Sequence, residues 1–232
     1  MKYAVPAPPN YTLTIAGSDD LFPVHRIFCV GRNYAAHARE MGKDPDRDPP
    51  FFFMKPACAV VPANTDGVEI PYPPMTANFH HEIELVVTIS KGGKDIPEAQ
   101  ALEHVHGYAV GLDMTRRDLQ LEARDKGRPW EFGKSFAQSA PIGPISTAAD
   151  IGHLSSATIS LTVNDQPRQS SDIGKLIWSV AESIAYLSRY ETLAPGDVIM
   201  TGTPEGVNAV VPGDVMHGHI DDLTDIVVRV AK

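Results

Sequence analysis

Three carboxylates are the residues of this chain that could most readily bind a metal ion. Glu82 and Glu84 are separated by one residue within 82–89, where the alternation of polar and apolar residues predicts a strand with both acids on one face. Asp113 ends a second apolar segment, residues 106–113. Carboxylates held close together repel each other unless a cation lies between them. The pattern suits Mg²⁺, Mn²⁺ or Ca²⁺, and a solvated strand face is the alternative interpretation.

A cation and an amide follow Asp113 at a regular spacing. Arg117 and Gln120 stand four and seven residues after it, in a segment that predicts a helix from Asp113 to about Lys126. The offsets place the three side chains on one side of the start of that helix. There they could face a carboxylate or carbonyl oxygen of a ligand. The simpler alternative is an Asp–Arg pair on the surface.

Two further residues could stabilise an anion. Lys134 lies between apolar neighbours, so it either extends its amine to solvent or, if buried near a metal, stabilises an enolate. Thr203 lies in the glycine-rich turn 202–206 after a predicted strand, and such a turn can offer backbone N–H groups and a hydroxyl. The same turn could serve the fold alone.

A histidine and a glutamate provide a candidate general base. His37 and Glu40 are three residues apart on a short predicted helix, 31–41, and a hydrogen bond between them could prepare the imidazole to accept a proton from water. An exposed surface pair is the alternative. Polar, proline-containing residues follow, so residues of about 36–50 are predicted to form a mobile lid. His80 and His81 adjoin Glu82, and we expect them to support the metal ligands rather than to bind the ion.

The surrounding elements are mostly strands. Besides residues 31–41 and the segment after Asp113, apolar residues at helical spacing predict a helix over 173–190 with Asp172 as its N-cap. No regular strand–helix alternation occurs, so the predicted class is α+β, mostly β. Strands are predicted near 11–16, 26–30, 51–54, 68–70, 83–90, 106–112, 158–163, 197–201, 214–220 and 225–231.

Composition narrows the partners and the location. The 232 residues carry a net charge of −9 without a run of lysine or arginine, which argues against nucleic acid and anionic membranes as partners. No signal-peptide pattern and no apolar run of about 18 residues occurs, so the cytoplasm is the expected location. The two cysteines form no zinc-binding pattern. We expect a proline-rich, extended lead-in over 1–23 and a single catalytic domain over 24–232.

Six short motifs in order connect these residues to a known family. They are Gly31-Arg-Asn-Tyr-x-x-His37-x-x-Glu40, Met54-Lys-Pro56, His81-Glu-x-Glu84, Leu112-Asp-x-Thr-x-Arg-Asp-x-Gln120, Lys134-Ser-Phe and Thr201-Gly-Thr-Pro-x-Gly206. Over about residues 24–230 the chain resembles the fumarylacetoacetate hydrolase family. The short N-terminus and residues 51–56 most resemble its bacterial branch that acts on fumarylpyruvate in the gentisate pathway.

The resemblance implies a fold, a metal and a set of roles. The fold would be a mixed β-sandwich roll with short helices, commonly a homodimer. Mg²⁺ or a similar ion would bind Glu82, Glu84 and Asp113. The residues around a small anionic ketoacid would be Arg117, Gln120, Lys134 and Thr203, with His37 and Glu40 as the water-activating pair on the lid. Ala137 stands where many members carry an acid, a position that could tune the substrate tail.

The implied activity is metal-dependent hydrolysis of a carbon–carbon bond in an acylpyruvate, most specifically 3-fumarylpyruvate to fumarate and pyruvate in gentisate-type aromatic catabolism. The pyruvate enolate that leaves would be stabilised by the metal and Lys134. An oxaloacetate decarboxylase, a ketoacid isomerase or a sugar-acid dehydratase would need the same metal–enolate site. A non-catalytic, metal-bound structural protein is the alternative of a different class.

Overall fold

A computed structural model of the chain describes residues 3–35 and 48–232. Strands dominate, and the helices are few and short, which confirms the predicted mostly β class. The strands are β1 (Thr12–Thr14), β2 (Leu21–Pro23), β3 (Ile27–Gly31), β4 (Phe51–Lys55), β5 (Val60–Pro62), β6 (Val68–Ile70), β7 (Phe79–His81), β8 (Ile83–Ile89), β9 (Val105–Leu112), β10 (Thr115–Arg116), β11 (Ala140–Ile142), β12 (Ser146–Thr147), β13 (Thr158–Val163), β14 (Gln166–Asp172), β15 (Val198–Met200), β16 (Asn208–Val210), β17 (Val215–Ile220) and β18 (Ile226–Val230).

Four α-helices and three 3₁₀ turns connect the described strands. The helices are α1 (Arg117–Asp125), α2 (Glu131–Lys134), α3 (Ala148–Ile151) and α4 (Val180–Leu187), and the 3₁₀ turns are Ala57–Ala59, Glu98–His104 and Ile173–Lys175. The predicted helix over 173–190 is therefore wrong in its extent. Asp172 caps only the short turn, through its side chain and the N–H of Gly174. A new helix begins after Ser179, whose capping box with Glu182 satisfies the free N–H groups.

Two sheets pack face to face and enclose the main core. One has the strand order β4-β3-β15-β8-β9-β11-β5, with β12 added beside β9, and the other has the order β14-β13-β17-β18-β6. Every second residue of β8, from Ile83 to Ile89, points into this core together with apolar residues of β13, β17 and β18. Burial of these alternate side chains fixes the register of β8, because a shift by one residue would turn its acids into the core.

A second apolar cluster covers the other face of the eight-stranded sheet. It contains Val86 of β8, Cys29 of β3 and Met200 of β15, and it is capped by Leu13 and Phe22 from the β1–β2 hairpin. All residues of β8 are buried as a result. The expected N-terminal lead-in thus contains two paired strands where one was predicted. A third sheet, β10-β7-β16, lies beside Glu82.

The strand predictions are largely confirmed, although several short strands and one long strand were missed. The long strand β14 was not predicted, because its sequence is polar and largely exposed; pairing with β13 places it. The predicted helix 31–41 falls mostly outside the described residues, and Gly31 itself ends β3. Within the described ranges, no helix is long and apolar enough to cross a membrane.

Candidate active site

Strand ends converge at one end of the eight-stranded sheet. Strand β15 runs parallel to β3 and antiparallel to β8, and β8 is antiparallel to β9. The amino end of β8 therefore meets the carboxyl ends of β3, β9 and β15. A pocket that is partly open to solvent lies at this edge. Among its lining residues are seven of the predicted site residues, namely Glu82, Glu84, Asp113, Arg117, Gln120, Lys134 and Thr203.

The three predicted metal ligands form one buried cluster. Strand pairing joins Ile83 to Leu112, so Asp113 follows directly opposite Glu82 and donates its N–H to the Glu82 carbonyl oxygen at 2.8 Å. Glu84 lies on the same face of β8 as Glu82, as the alternation predicted. One carboxylate oxygen from each of the three residues lies within 4.8 Å of the others. All three residues are at most 4% exposed.

Two buried lysines neutralise part of this charge. The Lys134 ammonium donates to Glu82 Oε2 at 2.8 Å, to Asp113 Oδ2 at 2.6 Å and to Thr115 Oγ1 at 2.8 Å. The Lys55 ammonium lies 2.8 Å from Asp113 Oδ1 as an ion pair and donates to Ser139 Oγ at 2.9 Å. Burial alone would lower the pKa of Lys134, but the charges of Asp113 and Glu82 outweigh it and raise that pKa above its ordinary range. The two carboxylates therefore favour the charged form of Lys134.

Arg117 provides the third cation, oriented by its neighbours. Its guanidinium contacts Glu82 through one terminal nitrogen and Gln120 Oε1 through the other. Its Nε lies 3.4 Å from His80 Nδ1, while His80 Nε2 lies 2.8 Å from Asn78 Oδ1. Burial, followed by the charge of Arg117, lowers the pKa of His80 to about 4, so the ring is neutral. A neutral ring donates from Nε2 and accepts at Nδ1, which supports the guanidinium without repelling it.

Glu84 differs from the other two acids because, among the described residues, it forms no ion pair. Within the described ranges no lysine or arginine forms an ion pair with it, and its Oε2 accepts the N–H of Gly202 at 2.8 Å. Gly202 has φ 101° and lies against Asn33, where a Cβ would come within 2.7 Å of the Asn33 Cβ, so only glycine fits. Burial, then Asp113 and Glu82, raise the pKa of Glu84 well above its ordinary value. A divalent cation would relieve this excess charge, and oxygen donors so close together fit Mg²⁺ or Mn²⁺.

A buried glutamine positions Thr203. Gln169 Nε2 donates to Thr203 Oγ1 and to the Pro204 carbonyl oxygen, both at 2.8 Å. The side-chain oxygen of Gln169, Oε1, lies 2.9 Å from His81 Nδ1 and accepts the N–H of Ile83 at 3.1 Å. Because the Thr203 hydroxyl oxygen already accepts a hydrogen bond, its hydrogen is available to donate into the pocket.

Two helices bring the cationic side chains to the carboxylates. Helix α1 carries Arg117 and Gln120, and α2 ends at Lys134. The two helices approach closely at Gly133, where a Cβ would lie 2.8 Å from the Gln120 backbone nitrogen. A larger residue at this position would push Lys134 away from the carboxylates.

The structure corrects two details of the sequence analysis and extends a third. Asp113 does not open a helix with Arg117, because β10 intervenes and α1 begins only at Arg117; Arg117 pairs with Glu82 instead. Ala137 is exposed and is not among the residues that line the pocket. From the sequence, Lys55 stood out only as part of the motif Met54-Lys-Pro56. Neither its burial nor its contact with Asp113 could be inferred from spacing.

His37 and Glu40, with most of the predicted lid, lie outside the described residues.

Gln169 was not identified from the sequence at all. It lies on a polar strand where no local pattern marks it. Its partners Thr203 and Ile83 are 34 and 86 residues away along the chain.

Comparisons with known proteins show the family of the chain. The Fumarylacetoacetate (FAA) hydrolase C-terminal family matches residues 26–231. The chain belongs to this family. A fumarylpyruvate hydrolase from a Ralstonia species is 47% identical over 188 residues, covering 80% of this chain and 96% of that relative. A human mitochondrial oxaloacetate tautomerase is 40% identical over 206 residues, covering 89% and 91%.

A solved structure extends the similarity to nearly the whole chain. The crystal structure of fumarylpyruvate hydrolase from Pseudomonas aeruginosa in complex with Mn²⁺ and pyruvate has a TM-score of 0.97, with 59% sequence identity and 99% coverage of both chains. The predicted family resemblance is thereby confirmed, and the FAA-hydrolase fold with it.

Proposed function

We propose that this protein hydrolyses the carbon–carbon bond between the methylene carbon and the distal carbonyl carbon of an acylpyruvate, with 3-fumarylpyruvate as substrate and fumarate and pyruvate as products. The observation that carries the proposal is the buried Glu82–Glu84–Asp113 cluster with the Lys134 ammonium beside it. Such a site can hold a ketoacid by one end and stabilise the negative charge that forms there. The similarity to two fumarylpyruvate hydrolases supports the choice of substrate.

The charge balance around the carboxylate cluster fits this chemistry. Three carboxylates, Glu82, Glu84 and Asp113, are matched by three cationic side chains, Lys55, Lys134 and Arg117. A divalent ion bound to the carboxylates would supply two more positive charges and draw electrons from the ketoacid oxygens. The pyruvoyl carboxylate and an enolate oxygen carry two negative charges. The loaded site is therefore complementary to the leaving group rather than to a neutral ketone.

Each polar side chain has a role in this proposal. Arg117, held by His80 and Gln120, binds the pyruvoyl carboxylate, and Thr203 donates its hydroxyl to a substrate oxygen. His37, oriented by Glu40, takes a proton from water, and the resulting hydroxide adds to the distal carbonyl carbon. The bond from that carbon to the methylene group then breaks, and its electrons form the pyruvate enolate beside Lys134. A proton returned to the methylene carbon completes pyruvate.

The role of His37 gives the first prediction. His37→Ala should lower hydrolysis by roughly 10²–10⁴-fold, the usual range for losing a general base. Binding of a non-reactive pyruvate analogue should change far less, because Arg117 and the metal site remain. Stopped-flow loss of enol absorbance and calorimetric binding separate the two effects. Wild-type hydrolysis by the variant would contradict the role, and equal loss of binding and turnover would assign His37 to substrate contact.

Several finer features belong to the same proposal. Mg²⁺ is the proposed physiological ion, although the Pseudomonas relative contains Mn²⁺ and oxygen ligands accept both. The protein would act as a homodimer in the cytoplasm, in gentisate-type aromatic catabolism. Titration of the metal-depleted protein with each ion, read by activity, and light scattering for the oligomer test these statements.

One panel of substrates tests the activity itself. The purified protein with Mg²⁺ is offered fumarylpyruvate, maleylpyruvate, acetylpyruvate and oxaloacetate, and the loss of enol absorbance and the release of pyruvate are followed. Fumarylpyruvate should give the highest kcat/KM. Turnover of oxaloacetate alone would instead assign the site to decarboxylation or enol–keto conversion, an alternative suggested by the tautomerase relative. Both reactions use the same enolate stabilisation but need no attacking water.

A further inference from the structure

The outer part of the pocket contains two arginines that the proposed bond cleavage does not use. Arg32 and Arg124 line the same pocket as the buried carboxylates, together with Phe53 and Trp130. All four side chains are half-buried, whereas the carboxylates and Lys134 are buried. The pocket thus has a polar floor, which would hold the pyruvoyl end, and a cationic, aromatic rim at its opening.

Aromatic rings hold Arg32 in place. The residue leaves β3 with φ 57°, and its guanidinium lies 5.2 Å from the ring centre of Phe51 and 5.8 Å from that of Trp130. In the described part of the chain, no carboxylate lies within ion-pair distance of it. Burial, followed by the like charge of Arg124, lowers the pKa of Arg32. Arg32 and Arg124 line the same half-buried part of the pocket, and two like charges there favour an anion between them.

Arg124 extends the row of polar residues on α1. It stands seven residues after Arg117 and four after Gln120, on the same face of the helix. Seven residues span about 10 Å of helix, comparable to the length of a seven-carbon dicarboxylate. Arg124 is held from outside by Asp125, whose Oδ1 accepts from Arg124 Nε at 2.9 Å. This face of α1 therefore presents Arg117 beside the carboxylate cluster and Arg124 at the opening of the pocket.

The substrate offers a second charge at that distance. Fumarylpyruvate carries one carboxylate at the pyruvoyl end and another at the end of a flat, conjugated tail. The charged groups at the floor of the pocket balance the pyruvoyl carboxylate and the developing enolate. The carboxylate at the end of the tail therefore has no cationic partner at the floor. Guanidinium groups bind carboxylates with two parallel hydrogen bonds, and aromatic faces suit a flat conjugated chain.

We propose that Arg32 and Arg124 bind the distal carboxylate of a dianionic acylpyruvate, with Phe53 and Trp130 flanking its conjugated tail, and that they set the preference for a dicarboxylate over an acylpyruvate with an uncharged tail. This inference rests on the proposed function and names the specificity determinant of the same site. The two arginines would then discriminate between charged and uncharged substrate tails, a role that the sequence suggested for Ala137.

A pair of substrates measures the preference directly. The kcat/KM for fumarylpyruvate is divided by that for acetylpyruvate, whose tail is a methyl group. In the Arg32→Gln plus Arg124→Gln variant this ratio should fall by about 30-fold, within the range for losing charge-assisted hydrogen bonds. Each single variant should cause a smaller fall, and Arg32→Lys should retain part of the ratio. An unchanged ratio, including an equal fall in both kcat/KM values, would overturn the proposal.

A remote arginine provides the matched control. Arg189 lies over the Tyr186 ring and does not line the active-site pocket. The variant Arg189→Gln changes the net charge by the same amount as each single rim variant. Its ratio should equal that of the wild type. A fall as large as in the rim variants would show that overall charge, not the rim, governs the preference.

Product binding provides a readout that needs no turnover. Calorimetry of the Mn²⁺-loaded protein with pyruvate compares fumarate with crotonate, which replaces the distal carboxylate with a methyl group. Wild-type protein should bind fumarate at least about tenfold more tightly, and the double variant should lose most of that difference. If the wild type bound fumarate selectively through these arginines but cleaved no acylpyruvate, the proposed hydrolysis would fail while the rim assignment stood. Equal binding of the two acids by the wild type would overturn the rim assignment.

Discussion

Two clusters of charged side chains have similar contact distances and very different surroundings. At the active-site end of β8 and β9, Lys134 contacts Glu82 and Asp113 at 2.8 and 2.6 Å. On the exposed face of β17 and β18, His217 and His219 contact Asp225 at 3.0 and 2.7 Å. The side chains of the first cluster are at most 6% exposed, whereas those of His217 and His219 are 49% and 41% exposed.

Burial decides what each cluster can do. Removing charges from water is costly, and a buried ion pair contributes little to stability compared with apolar packing, so its presence favours a functional reason. Exposed pairs contribute about 0–1 kcal/mol and are screened by salt. The buried cluster also contains Glu84, which forms no ion pair in the described ranges. In the exposed cluster, Asp225 contacts His217 and His219, and a second acid, Asp221, contacts His219. Contact distance alone would not have separated a catalytic centre from a surface network.

The largest effect is expected from removing the buried cation. Lys134→Met should lower kcat/KM by about 10³-fold or more, because the enolate loses its charge stabilisation in a site shielded from water. The free energy of unfolding should fall by roughly 3–5 kcal/mol, since Glu82 and Asp113 remain buried without this partner. Single-turnover kinetics and urea unfolding measure the two effects. Retained turnover with lowered stability would make Lys134 structural and weaken the distinction between the clusters.

Removing one charge from the carboxylate cluster should have the next largest effect. Glu84→Gln keeps the hydrogen bond from Gly202 but offers the metal a neutral ligand, so Mg²⁺ affinity should fall by about tenfold or more. The metal-free variant should be at least as stable as the wild type, because a buried carboxylate is removed. Calorimetric Mg²⁺ titration and thermal unfolding in a chelator test both points. Unchanged Mg²⁺ affinity would remove Glu84 from the ligand set.

The smallest effect is expected at the exposed cluster, and it should depend on pH. The hydrogen bond to Asp225 is the main cause that raises the pKa of His219 above 6.5. A raised histidine pKa stabilises the fold below the unfolded value and loses this contribution as the pH rises through the folded value. His219→Gln should therefore destabilise the protein by a few tenths of a kcal/mol near pH 5.5 and by nothing measurable near pH 8.5.

Urea unfolding of the wild type and the variant at the two pH values gives the comparison. Turnover should be the same in both proteins, because His219 does not line the pocket. A loss of turnover in the variant, or a loss of stability that grows with pH, would show that the exposed cluster is not the passive surface network described above.

Sequence alone predicted which charged residues come together better than how they are arranged. Alternation of apolar and polar residues placed Glu82 and Glu84 on one face of β8, because period-two burial is a local property of a strand. Asp113 and Arg117 were predicted to share a helix, yet β10 separates them. The contacts of Asp113 depend on its register opposite Glu82, and pairing across a sheet is not encoded in local spacing.

The residues that sequence analysis missed are connected only through long-range contacts. Lys55 contacts Asp113, which lies 58 positions later in the chain, and no local pattern in the strand of Lys55 indicates that this lysine is buried. The helix predicted over 173–190 failed for the opposite reason. Apolar spacing continued through Leu176 and Ile177, but the capping box of Ser179 and Glu182 started a new helix. Local capping chemistry overrode a periodic apolar pattern there.

Hydrolysis of fumarylpyruvate in water enriched in ¹⁸O tests the central claim most directly. If the buried carboxylate cluster holds a divalent ion and activated water adds to the distal carbonyl, the fumarate formed should carry one ¹⁸O atom in a carboxylate. Its formation should stop when a chelator removes the ion and resume when Mg²⁺ is restored. Mass spectrometry of fumarate reads the result. Unlabelled fumarate, or labelled fumarate formed equally well in the metal-depleted protein, would contradict the account.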